Sequence, residues 1–130
     1  ERLAVDLGNV QLHDLQPVAR MGAMLTMADL HLLPQIAGAA DLVLPSKLTN
    51  MLASGRPVIA TTDPGTGLYA EVDGCGLIAP PGDAAALAKA VVALADDPAR
   101  RAELGNAATR RATERWSKPA IIAAALARLG

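Results

Sequence analysis

The sequence predicts an α/β fold: a parallel sheet with helices on both faces and a helical tail at its C-terminal end. Three observations carry this. Short apolar runs alternate with helical stretches as far as Ala79, and strands alternating with helices build a mostly parallel sheet. From Asp83 onward helix follows helix. The composition is 52% apolar but only 2% aromatic, with no Phe, so the core has to be built from Leu, Val, Ile, Met and alanines. Ala-rich helices lying close on a sheet fit that composition. At 130 residues the chain reads as one domain, since single cores span roughly 100 to 200 residues.

Glu1 to Leu7, closed by Gly8, reads as the end of a helix with a glycine C-cap. Val10 to His13 reads as a short strand, and Pro17 opens a helix to Ala28 with Val18, Met21, Leu25 and Ala28 on one face. Leu30 to Leu33 is a buried-type strand stopped by Pro34, followed by a turn-like stretch from Gln35 to Asp41. Leu42 to Leu44 is extended again. Pro45-Ser46 starts a helix from Lys47 to Ser54, which Gly55 ends. Pro57 to Thr61 is β-branched and strand-like, Asp63-Pro64-Gly65-Thr66-Gly67 is a tight turn into a short helix through Val72, and Gly76 to Ala79 is one more strand. Asp83 caps a helix from Ala84 to Ala95, Asp97-Pro98 restarts one to Arg115, and Lys118-Pro119 restarts a third to Leu129.

In such a sheet the ligand site lies at the carboxyl ends of the strands, and the helical tail is expected at an edge. About four strands is fewer than a doubly wound sheet usually has, and Glu1 is not a natural start. The expectation is an excised piece whose domain continues N-terminally by one or two strands.

With 12 Lys+Arg against 13 Asp+Glu the net charge is −1, which argues against nucleic acid or anionic lipid as a partner. Cys75 alone forms no intrachain disulfide, and with His13 and His31 it makes a poor metal set. No metal or separate cofactor is expected. No apolar run reaches about 18 residues and no basic-then-apolar leader opens the chain. The expected location is cytoplasmic, with any contact at the inner face of the plasma membrane made peripherally by a longer protein.

Asn9-Val10, Ala28-Asp29-Leu30, Pro45-Ser46-Lys47-Leu48, Ala53-Ser54-Gly55-Arg56-Pro57-Val58-Ile59-Ala60-Thr61, Gly76-Leu77-Ile78-Ala79-Pro80 and Gly82-Asp83 follow one another in this order. From residue 9 to about 116 this series resembles the C-terminal, nucleotide-sugar-binding domain of GT-B glycosyltransferases of family 4, a Rossmann-like domain. The run from Pro45 to Asn50 followed by Ala53 to Pro57 looks most like the colanic-acid and exopolysaccharide type. The resemblance implies retaining hexosyl transfer from a nucleotide-diphosphate sugar to a glycan or lipid-linked acceptor, in bacterial surface-polysaccharide synthesis. It also implies that a missing N-terminal domain presents the acceptor, so this piece alone is inactive.

In that family two acids seven positions apart flank the helix before the Gly-x-Pro-Val strand, the second binding the donor's ribose hydroxyls. Here Asn50 stands just before Met51-Leu52-Ala53-Ser54-Gly55, and no Asp or Glu occurs from Leu42 to Thr62. An amide oxygen still accepts a hydroxyl hydrogen bond, without charge. Asp41 lies near the place of the first acid.

The candidate donor-binding residues are therefore Ser46, Lys47, Leu48, Asn50 and Asp41, with Gly65, Thr66 and Gly67 from the glycine turn. At Pro45-Ser46-Lys47 free N–H groups and the positive end of the helix dipole favour an anion, and Lys47 adds a full charge for a diphosphate; the plainer reading is a capped helix with a solvated lysine. The 63–67 turn is a second anion cradle or simply a tight turn. His13 and His31 read as satisfied histidines with no partner acid, Asp96-Asp97 as a helix end and a cap rather than a metal site, and Cys75 as a small apolar filler. Arg100, Arg101, Arg110, Arg111 and Arg115, interleaved with Glu103 and Glu114, read as a solvated helix face, and Trp116 as packing the tail against the sheet. Two rival functions remain: a nucleotide-sugar epimerase of the same two-domain shape, and a non-catalytic scaffold, for which Asn50 in place of an acid is the best argument.

Overall fold

The computed structural model describes residues 7–38 and 44–130. A 3-10 turn, Val18–Arg20, leads into α1 (Met21–Met27), followed by β1 (His31–Leu33), α2 (Ser46–Ala53), β2 (Val58–Thr61), α3 (Gly67–Val72), β3 (Gly76–Ala79), α4 (Ala84–Ala95) and α5 (Pro98–Arg111). A π turn, Ala112–Trp116, continues α5 and precedes α6 (Lys118–Leu129). The strands lie in the order β1-β2-β3 and are all parallel, with His31 beside Val58 and Val58 beside Gly76.

Parallel neighbours need crossovers, and these are nearly always right-handed. With strand order equal to chain order, α2 and α3 therefore fall on the same face and run back against the strands. Their N-termini thus meet the carboxyl rim of the sheet. Alternation along β2 divides the core accordingly: Val58 and Ala60 pack with Leu48, Leu52, Leu68, Val72 and Cys75, whereas Ile59 packs with Leu94 and Leu104 on the opposite face. Helices cover both faces, as predicted.

The tail takes its place by close backbone contact. α5 packs against α2, α4 and β3, giving Leu104 to one core layer and Ala108 to the other, which Ala112 of the π turn joins. It passes beneath the amino edge, where a Cβ added at Gly105 would lie 2.1 Å from the carbonyl oxygen of Gly55. Gly55 itself has φ +74, the left-handed C′ position after α2 that glycine fills without steric cost. Gly76 is equally constrained, since an added Cβ would sit 2.2 Å from the Val58 oxygen across the β2–β3 pair.

Helix starts are as the sequence predicts: Asp83 Oδ1 accepts from the Ala86 N–H and Asp97 Oδ1 from the Arg100 N–H, each at 2.8 Å. Ser117 Oγ caps α6 by accepting from Ala120 at 3.3 Å.

Three expectations need correction. Val10 to His13 forms no strand; a strand requires a ladder partner, and Val10 and Leu12 stand exposed. Val18 is 82% exposed and lies in the 3-10 turn, off the partly buried face that Met21, Leu25 and Ala28 share. The helix expected to reach Arg115 changes to a π turn at Ala112. The sheet has three strands among the described residues. Glu1–Asp6 of the first helix reading, and Leu42 and Val43 of the short strand, lie outside the described residues.

Candidate functional site

The first turn of α2 follows Pro45, whose extended backbone sets the helix start, and no side chain caps it. Ser46 and Lys47 are exposed there, on the carboxyl rim. Leu48 is fully buried among Leu52, Val58 and Leu68, so it anchors the turn and presents no side chain to solvent. Asn50 is exposed one turn along, its amide nitrogen 3.7 Å from Met21 Sδ, and its amide oxygen takes no donor among the described residues. Asp41 lies outside the described residues.

The glycine turn reaches the same rim from β2. Gly65 has φ +86, the left-handed geometry a turn of this kind reserves for glycine. Thr66 is buried and its hydroxyl is heavily engaged: it lies 2.7 Å from the Thr62 hydroxyl and 3.0 Å from the Asp63 carbonyl, and it accepts the Tyr69 N–H at 3.1 Å. The Thr66 side chain therefore caps α3. Gly65 and Gly67 are exposed and keep the backbone open to approach.

Between these two features lies a contact that sequence reading missed. The Gln35 N–H donates to Thr61 Oγ1 at 2.6 Å, and the Thr61 hydroxyl donates to the Gln35 carbonyl at 2.8 Å. The residue that follows Pro34 is thereby clamped to the end of β2.

At the opposite, amino end, His31 is buried and bonds to Ser54. The single Ser54 hydroxyl hydrogen goes to the Met51 carbonyl at 2.6 Å, so His31 Nε2 must be the donor toward Ser54 Oγ at 3.0 Å. Burial, and then the Arg56 charge, hold the imidazole below its ordinary value. An unfolded histidine takes a proton near about pH 6.5, the folded one only at lower pH. The stability that neutral His31 contributes is complete above that point and is lost as pH falls through it toward the folded value. The urea midpoint should therefore decline between about pH 7.5 and about pH 5.5, less steeply in His31→Gln; equal slopes would exclude His31 as the cause.

Two cavities open at this amino end. One of about 480 Å³ is lined by Ala28, Asp29, Leu30, Val91, Ala95 and Arg101, and one of about 170 Å³ includes Asp29, Arg56 and Arg101. Neither contains a predicted site residue. Their arginines serve the chain itself: Arg56 donates from Nε and Nη2 to the Thr26 carbonyl at 3.1 and 2.7 Å, and Arg101 Nη1 donates to the Leu94 and Ala95 carbonyls at the end of α4. The starts of α2 and α3 lie at the opposite, carboxyl rim, away from both cavities.

The solvated-face reading of the arginines holds for Arg100, paired with Glu103 at 2.6 Å, and needs correction for three others. Arg101 caps α4 as described. Arg111 Nη1 donates to the Ala70 and Glu71 carbonyls, both at 2.9 Å. Arg115 Nη1 and Trp116 Nε1 grip the Glu71 carboxylate at 2.8 and 3.0 Å. Charges interleaved along a helix do not reveal such partners, those of Arg111 and Arg115 lying 40 or more residues away. Trp116 ties the tail to α3 through that bond. Cys75 is the filler expected, fully buried, with its thiol pushed up chiefly by burial.

No group of three or more His, Cys, Asp or Glu able to hold a metal occurs among the described residues, nor does any helix there have the length and apolarity to cross a membrane.

The sequence profile of the family described as Glycosyl transferases group 1 matches residues 1–97. The chain belongs to this family. Among its relatives, the group 1 chain is 46% identical over 65 residues to a protein of Escherichia coli (strain K12) that carries the name colanic acid biosynthesis glycosyl transferase WcaI, covering 48% of this chain and 16% of that one. It is 36% identical over 86 residues to the similarly named WcaL of the same organism, covering 65% of this chain and 21% of WcaL. The matched segments thus span about a sixth and a fifth of those relatives. No solved structure matches the group 1 chain.

Proposed function

We propose that this chain is the donor-binding, C-terminal domain of a two-domain GT-B glycosyltransferase that moves a hexose from a nucleotide-diphosphate sugar to a glycan or lipid-linked acceptor. Surface-polysaccharide synthesis at the cytoplasmic side of a bacterial membrane is the setting, in keeping with the names of WcaI and WcaL. The observation that carries the reading is the meeting of two helix N-termini on one side of the carboxyl rim, one of them uncapped by any side chain and followed by exposed Lys47.

Chemically, charge grows on the β-phosphate as the sugar departs. Aligned N–H groups and a lysine ammonium stabilise that charge without a metal ion. The chain needs no nucleophile of its own for this; the acceptor comes from the other domain, and the donor is substrate rather than cofactor. Asn50 takes the place of an acid and offers a neutral acceptor to a ribose hydroxyl.

Titration calorimetry with UDP, GDP and ADP tests the reading. Binding of one of the three in the micromolar to millimolar range, weakened by added diphosphate, is the expected result. Silence with all three would favour the scaffold reading, and interconversion of donors without any acceptor would favour the epimerase.

A further inference from the structure

We propose that Gln35 is a specificity residue of the donor site, its side-chain oxygen receiving an O–H or N–H hydrogen of the bound nucleotide sugar; this rests on the reading that the carboxyl rim holds such a donor. Gln35 Oε1 is the one buried side-chain nitrogen or oxygen among the described residues that has no hydrogen-bond partner. Buried polar atoms in native proteins are nearly always paired, so an orphan calls for an occupant. Its position argues for which one. Gln35 follows Pro34 at the carboxyl end of β1, and its N–H and carbonyl are both bound to the Thr61 hydroxyl at the end of β2. The backbone is thus held at the seam between two strand ends, the place where open α/β sheets take ligands.

The type of group fits as well. A nucleotide sugar is rich in donors on its hexose, ribose and base, and an amide oxygen accepts them without adding negative charge beside a diphosphate. A carboxylate there would oppose the anion that Lys47 and the helix starts attract. A site built to bond a hydroxyl or N–H also discriminates strongly, because an analogue lacking that group leaves the acceptor unpaired again.

The test compares the full protein with its Gln35→Met variant, which keeps the length of the side chain and removes the acceptor. Melting is followed without ligand, and affinity is measured for UDP, GDP and ADP and for the glucose conjugates of each. The expected result is a melting temperature at or above that of the parent, because an orphan acceptor has been removed, with binding weakened about tenfold. Equal weakening for nucleotide and conjugate places the donor group on the nucleoside, and weakening for the conjugate alone places it on the hexose. A lower melting temperature with unchanged affinity would overturn the proposal, since the oxygen would then serve the chain itself. Equal affinities in parent and variant also overturn it while leaving the donor site standing. A parent that binds none of the ligands removes the donor-site reading and this one with it.

Discussion

Gly105→Ala is expected to destabilise the protein by about 3 kcal/mol, near the upper end of what overpacking usually does. Helix propensity points the other way, because alanine in a helix interior is favoured over glycine by about 1 kcal/mol. Geometry decides the sign. The new Cβ would stand 2.1 Å from the Gly55 oxygen and 3.1 Å from its carbonyl carbon, both backbone atoms that no rotamer change can move. Gly55 cannot withdraw easily, since its φ of +74 turns α2 into the approach to β2. Urea denaturation of the variant measures the loss, and Gly22→Ala, where an added Cβ meets nothing within 4 Å, is the matched control and should be neutral or slightly stabilising. A Gly105→Ala protein as stable as its parent would mean that α5 does not rest on this turn.

Lys47→Ala is expected to lower turnover of the full enzyme about 100-fold, the scale of losing one group that stabilises charge in a transition state. The melting temperature should hardly change, because Lys47 is exposed and belongs to neither core cluster. That pairing separates a role in the reaction from a role in folding. Steady-state kinetics with saturating donor checks it, and unchanged turnover would remove Lys47 from the site.

What the sequence reveals is mainly what is local. Asp83 and Asp97 are readable as caps because each bonds an N–H three residues on. Pro45 marks the start of α2 because its fixed φ suits a helix start, and Ser46 and Lys47 are placed with it. The burial of Leu48 was also within reach, since Leu48 and Leu52 stand four apart on one helical face. Long-range pairing is where the reading stops. Val10 to His13 has strand-like composition but no strand beside it, and nothing in the run itself says so. The bonds His31–Ser54, Gln35–Thr61 and Trp116–Glu71 join residues 23, 26 and 45 positions apart. Such partners become visible only once three strands have been ordered and a helix has turned beneath them.

That helix has a further consequence. Since α5 furnishes Leu104 to one layer and Ala108 to the other, it acts as a common keystone: detaching it would wet the two halves of the interior together. Melting of the sheet's two sides should be a single concerted event, and the carboxyl rim inherits its rigidity from a segment at the far end of the molecule.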